Sequence, residues 1–327
     1  MEVRLHGPAA AVGLAPRVMR RQRLGDALFR GLTRSFAVGV LVLLGAVIAE
    51  LASGSVPAFR KFGLAFLVSD AWNPVKENFG ALPAIYGTVT SALIAMLLAV
   101  PVAFGIAVFL TELCPPVLRR PIGVLVELLA AIPSIIYGVW GLFVLAPVLQ
   151  TTLEPALIDI FGSVPGLGSL FQGPPYGLGM LTAGLILSVM VLPFIAAVIR
   201  DVFMTVPAML RESAYGMGAT TAEVVRAIVI PHSRVGIVGA VMLALGRALG
   251  ETMAVTFVIG NAHHIRASLL APGTTISATL ANEFTEAVSD TYTSSLIALG
   301  LILFVITFIV LAVAQLLLWR LSAREGA

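Results

Sequence analysis

The chain has 327 residues, 59% of them hydrophobic and only 11% charged, and its mean hydropathy is +1.02. No soluble core of this size requires so much apolar surface, so the composition identifies an integral membrane protein and excludes an ordinary soluble domain. The formal charge of +3 reflects topology and gives no support to nucleic-acid binding, and a single cysteine, Cys114, excludes both an intrachain disulfide and a multi-cysteine metal cluster.

Residues 1–34 form an Arg-rich lead-in, expected to be helical in part around 20–34. It reads either as a topology signal or as a segment held at anionic headgroups. Six apolar runs follow, at about 35–51, 84–110, 122–149, 178–199, 235–259 and 295–319. Each is expected to cross the membrane as a helix that closes its own backbone hydrogen bonds, which predicts an all-α integral membrane protein with six transmembrane helices. The first run has the outline of a secretory signal, but the charged region before it is too long and Glu50 sits where cleavage would fall. The third run exceeds the length needed to span, and Pro133 near its middle predicts a kink or break beside a cavity.

Basic residues orient the chain. Fifteen fall on the side of the N-terminus, of the connections carrying Arg119, Arg120, Arg200, Arg211, Arg226 and Arg234, and of the tail; the opposite side has four, Arg60, Lys61, Lys76 and Arg266. The positive-inside rule therefore puts both termini in the cytoplasm. On the outside, residues 52–82 carry Phe59, Phe62 and Phe66 and predict an interfacial helix. Residues 150–176, rich in Gly and Pro, predict irregular turns, and residues 260–293 contain His263–His264, whose side chains diverge and do not suggest a metal site.

The connection at about 200–234 is the longest on the cytoplasmic side. Residues 208–217 predict a short helix, and Gly216 and Gly218 allow a sharp turn after it. Thr220-Thr-Ala-Glu223 fits a capping box, and Pro231 is expected to stop the second helix before the fifth span. The predicted product is a helix-turn-helix on the membrane surface, with Leu210, Tyr215 and Met217 free to fill a partner's groove.

In the fifth span, Arg247 and Glu251 stand near mid-membrane, where a charge costs about 2.5 to 3.5 kcal/mol. Four residues apart, they are expected to share a helical face and form an ion pair. That pair fixes helix register, or it presents Arg247 to a passing anion with Glu251 balancing the charge. Arg suits a tetrahedral oxyanion because its planar fork gives two parallel hydrogen bonds, and Thr252 and Thr256 could add neutral donors. Glu127, the other acid within a span, reads as a partner for Arg247 or for another subunit. A Walker A loop is missing: the two lysines, Lys61 and Lys76, have no Gly-rich phosphate cradle. Any ATPase must be another polypeptide, and no cofactor or metal is expected.

The spacing Glu212-Ser213-Ala214, three residues to Gly218, nine to Ile228 and on to Ile230-Pro231 resembles the EAA loop of ABC importer permeases, with Ser213 and Ile230 in place of the commoner Ala and Leu. Further segments, Gly246-Arg-Ala-Leu-Gly-Glu-Thr-Met through Asn261, Ser268 to Ile276, Ala281-Asn-Glu-Phe284 and Ala131-Ile-Pro-Ser-Ile-Ile-Tyr-Gly138, are similar to PstC-type permeases of phosphate-specific ABC importers. The resemblance covers about residues 35–320 and implies a MetI-like permease domain there, followed by a cytoplasmic tail at 321–327. It implies Glu212, Ser213, Ala214, Gly218 and Pro231 as the ATPase-docking residues, and the pair Arg247 and Glu251 as part of the phosphate pathway, to which the reading of the residues themselves adds Thr252. It also implies a second, PstA-like permease, two copies of a PstB-like ATPase and an extracytoplasmic phosphate-binding protein, in the bacterial inner membrane. Relatives that move molybdate or sulfate share the fold, so another oxyanion stays open. An ion-gradient-driven transporter would explain the buried charges but gives the docking spacing no purpose. An intramembrane enzyme lacks any His-carboxylate or Ser-His constellation.

Overall fold

In the computed structural model, residues 16–166 and 168–325 are described; the first part of the Arg-rich lead-in and the last two residues of the tail lie outside them. The chain falls into two compact units, Met1–Ser53 and Gly54–Ala327. Helix α1, Pro16–Phe62, supplies the described part of the first unit. There Phe36, Leu41 and Leu43 are exposed, as befits a segment that meets lipid.

The second unit holds the remaining elements. After α1 come α2 (Ala65–Val68), a two-residue hairpin of β1 (Trp72–Asn73) and β2 (Asn78–Phe79), α3 (Leu82–Leu113), α4 (Pro116–Ala130) and α5 (Ser134–Phe161). These lead into α6 (Met180–Met204), α7 (Ala208–Gly216), α8 (Thr221–Leu249), α9 (Met253–Thr256), α10 (Ile276–Glu283) and α11 (Asp290–Glu325). Among the described residues six helices are long and apolar enough to cross a membrane: α1, α3, α5, α6, α8 and α11.

The core is a stripe of small side chains. Ala92, Ala95, Ala99, Ala103 and Ala107 recur at helical spacing along α3 and are buried against Ala183, Leu187 and Ile195 of α6. A Cβ on Gly184 would come within 2.4 Å of Ile94, so a glycine there is what lets the two helices close. In lipid, where burying apolar area gives no extra drive, such close backbone approach is the main source of helix association.

Three boundaries differ from the sequence expectation. The third apolar run breaks at Ala131–Ile132–Pro133, where a kink or break was expected, but α4 becomes a separate helix and the crossing helix α5 runs on to Phe161, through residues expected to be outer loop. Pro133 carries no N–H and forces extended geometry, so hydropathy continued where the hydrogen-bond ladder could not. Pro231 does not stop a helix. A π-helical stretch, Val225–Val229, widens the turn ahead of it, and α8 runs through to Leu249. The fifth span ends at Gly250 instead of continuing to 259.

Candidate functional site

Arg247 lies in the last turn of α8, where a cation opposes the negative end of the helix dipole. Gly250 caps the helix, and Glu251 and Thr252 follow outside it before the short turn α9. The expected four-residue ion pair is therefore corrected: Arg247 and Glu251 do not share a continuous helix, and no Arg247–Glu251 bridge occurs among the described residues. Glu251 Oε1 instead accepts the backbone N–H of Ala254 at 3.2 Å. The Arg247 side chain is exposed, with its guanidinium carbon 5.9 Å from the centre of the Phe194 ring, and its charge acts on the Tyr137 phenol. Thr252 and Thr256 are turned inward on their own backbone: Thr256 Oγ1 donates to the Thr252 carbonyl at 2.8 Å, and Thr252 Oγ1 to that of Gly250 at 3.4 Å.

Sequence reasoning missed Tyr137 and Phe194, which the α5 and α6 backbones bring to this point. It also missed the break itself. The signal for the break was Gly250 beside two polar residues in an apolar run, the pattern of a discontinuous membrane helix whose ends point at a bound ion.

The cytoplasmic connection forms two linked helices, as its glycine and capping pattern predicted. At the end of α7 the Gly218 N–H donates to the Tyr215 carbonyl and the Ala219 N–H reaches back to Ala214 at 3.1 Å, while Gly218 takes φ +89°. That is a Schellman ending, in which a left-handed residue satisfies the last helical carbonyls. Thr220 and Glu223 then make the capping box: Thr220 Oγ1 accepts from the Glu223 N–H, and Glu223 Oε2 accepts from the Thr220 N–H at 2.8 Å. Ala214 is buried. Glu212, Ser213, Leu210, Tyr215 and Met217 are exposed on the same short helix, and Pro231 sits in the first turn of the straight part of α8. Arg211 ties α7 inward, pairing with the buried Glu112 of α3 at 3.2 Å and donating to the Phe203 carbonyl at 2.6 Å.

Glu127 does not meet Arg247. It accepts from Arg200 of α6 at 2.7 Å, and Arg200 also binds Asp201 at 2.8 Å. A Cβ on Gly123 would lie 2.6 Å from Arg200 Nη1, so this glycine opens the path of the guanidinium. A further acid, Glu154, was assigned to outer loop by sequence and is buried in α5, accepting the Gly177 N–H at 2.9 Å. On the outer segments Glu283 gathers three donors, Trp72 Nε1 at 2.8 Å, Tyr292 OH at 2.6 Å and His263 Nε2 at 2.7 Å, and the His263 ring stacks on Trp72. Phe59, Phe62 and Phe66 complete this aromatic floor.

Residues 103–322 match the family described as binding-protein-dependent transport system inner membrane component. The chain is 65% identical over 309 residues to the phosphate transport system permease protein PstC of Mesorhizobium japonicum, covering 94% of each chain. It is 54% identical to the PstC protein of Pasteurella multocida, over 92% of this chain and 94% of that one. Among solved structures, a bacterial alginate ABC transporter in complex with alginate pentasaccharide-bound periplasmic protein aligns with TM-score 0.58 at 17% identity, covering 90% of this chain and 94% of that one. An inward-facing MetNI methionine ABC transporter aligns with TM-score 0.53, also at 17% identity, covering 73% and 94%. These last two likenesses are of fold.

Proposed function

The chain belongs to the inner-membrane components of binding-protein-dependent transport systems, within them to the PstC phosphate permeases, and from that membership we propose that Arg247, Glu251 and Thr252 line its anion pathway while α7 and the turn at Gly218 seat the ATPase. It is a multi-pass inner-membrane permease subunit that passes inorganic phosphate, with ATP hydrolysis in a separate subunit. In this reading residues 35–320 form the permease domain, both termini are cytoplasmic, and the Arg-rich lead-in and the tail flank it on that side. The partners are a PstA-like permease, two PstB-like ATPases and an extracytoplasmic phosphate-binding protein.

The observation that carries the pathway assignment is Arg247 itself, exposed at the end of a helix that stops inside an apolar run, with no ion pair to a carboxylate among the described residues and an aromatic face near it. A guanidinium left without a counterion in a membrane protein is costly unless water or an anion meets it. Its planar fork then offers two charged hydrogen bonds to a tetrahedral oxyanion. The exposed α7 surface gives the ATPase a rigid seat, because the Schellman turn and the Arg211 tether hold it against α3 and α6.

The test is uptake in vesicles that carry the reconstituted four-component transporter. Wild type takes up phosphate in an ATP-dependent manner, and molybdate or sulfate competes weakly. Arg247→Ala assembles with its partners and loses uptake roughly ten- to hundredfold, the loss of one or two charged hydrogen bonds in the passage. Full phosphate uptake by an assembled Arg247→Ala complex refutes the pathway; stronger competition by another oxyanion refutes the substrate.

A further inference from the structure

A cavity of about 380 Å³ opens between the first turns of α4 and the cytoplasmic end of α6, lined by Pro116, Arg119, Arg120, Val124, Arg200 and Met204, with Glu127 at its edge. None of the proposed pathway residues, Arg247, Glu251 and Thr252, lines it. Its three guanidinium groups differ in how they are held. Arg200 is fixed, with Glu127 at 2.7 Å and Asp201 at 2.8 Å offsetting its charge. Arg119 has one long hydrogen bond, 3.5 Å to the Cys114 carbonyl, and Arg120 makes no hydrogen bond or ion pair among the described residues. The cavity therefore has two uncompensated positive charges beside a third that is already oriented. They stand in the first turns of a 15-residue helix, whose own dipole adds to the positive field there. Pro116, Val124 and Met204 give the remaining wall an apolar character.

We propose that this cavity binds a phosphate-class oxyanion, with Arg119 and Arg120 supplying the charge that holds it. Arg forks match the oxygens of a phosphate bidentately, and basic pockets between helices on the cytoplasmic side of a membrane suit phospholipid headgroups. Two sources share this chemistry: the phosphodiester headgroup of an anionic phospholipid, for which the apolar wall would receive the glycerol and upper acyl chain, and free inorganic phosphate on the cytoplasmic side. The site is independent of Arg247, so it stands whether or not the pathway assignment does.

The experiment uses the purified transporter complex in nanodiscs, as wild type and as the variant Arg119→Gln with Arg120→Gln. Arg200 stays intact because its removal would leave Glu127 unpaired. In one arm, phosphatidylglycerol retained by complexes in phosphatidylcholine discs is quantified by mass spectrometry. In the other, radiolabelled inorganic phosphate is titrated in pure phosphatidylcholine discs, in an Arg247→Ala background that removes the pathway site. The double variant is expected to lose one of the two ligands roughly thirtyfold, the effect of two basic residues at a membrane surface. Loss in the first arm assigns the lipid headgroup, and loss in the second assigns free phosphate. Arg119→Lys with Arg120→Lys keeps the charge but not the forks and is expected to retain more of the ligand than the Gln variant, which separates charge loss from misfolding. Equal retention of phosphatidylglycerol and equal phosphate binding by wild type and the Gln variant overturn the site. Failure of ATP-driven uptake in wild type would sink the transport reading and leave both binding arms readable.

Discussion

Glu283 is a carboxylate held by its neighbours more than by its solvent. Burial alone would raise its pKa, but hydrogen bonds from His263, Tyr292 and Trp72 and the nearby His263 charge outweigh burial and hold the carboxyl below the usual range. A carboxyl with a lowered folded pKa contributes stability that is fully present above its unfolded value and lost as pH falls through the folded one. With an unfolded value of about 4.3, the contribution of this carboxylate to the outer aromatic cluster should be constant from neutrality down to that point and be lost only below it. Trp72 reports this directly, being stacked on His263 at 4.8 Å between ring centres. In a background with Trp140→Phe and Trp319→Phe, its fluorescence is expected to show a transition below pH ~4.3 that reports protonation of this carboxylate. Glu283→Gln should abolish the transition. A midpoint above that pH would show that burial outweighs the three donors.

The segment proposed to seat the ATPase shows how much of an element a local pattern can specify. Gly218 at φ +89° is needed because an L side chain in that left-handed conformation costs roughly 1–2 kcal/mol; nothing lies within 4 Å of a Cβ placed there, so the cost is conformational and not a clash. Gly218→Asp is expected to unwind the Schellman turn, re-aim α7, and lower both ATPase retention in pull-down and coupled uptake, while membrane insertion stays normal. Unchanged retention and uptake would refute the docking role. This turn, the capping box and the short helix were legible because each closes hydrogen bonds within five residues of sequence. Other features were not. Glu127 finds Arg200 73 residues away and Arg211 finds Glu112 across two helices, partners that no spacing reveals. Of the prolines only Pro231 misled, but it follows a pattern: the π stretches ending at Leu145, Leu153 and Val229 each stand just ahead of Pro147, Pro155 and Pro231. A wider turn moves the carbonyl that the proline ring would strike and leaves no N–H unmet, so the helix continues through each, at Pro231 against the expected stop. Pro101 and Pro193 sit within α3 and α6 without such a stretch, so the sequence alone does not say which solution a given proline takes.

At the scale of the whole molecule, hydropathy was enough to count six spans, because lipid admits only segments that satisfy their own backbone. It placed their ends poorly, since an apolar residue reads alike in a membrane, in a helix break and against a neighbouring helix. The same ambiguity divides the surface. Many exposed apolar side chains, Leu97 of α3 at 76% among them, suit hydrocarbon. Arg247 does not, because a guanidinium in contact with lipid costs several kcal/mol; on the proposed pathway its surroundings hold water, and Met253, just past the break, is 47% exposed. A cysteine separates the two surfaces. The reactive species is the thiolate, which apolar surroundings suppress and water permits. In the assembled transporter, with the buried Cys114 changed to Ser, Met253→Cys should therefore react with a small charged methanethiosulfonate while Leu97→Cys stays inert. Added phosphate should slow the reaction at Met253→Cys by occupying the space next to Arg247. Equal inertness at both positions would mean that this face is sealed by lipid or by protein, and the anion would have to pass elsewhere.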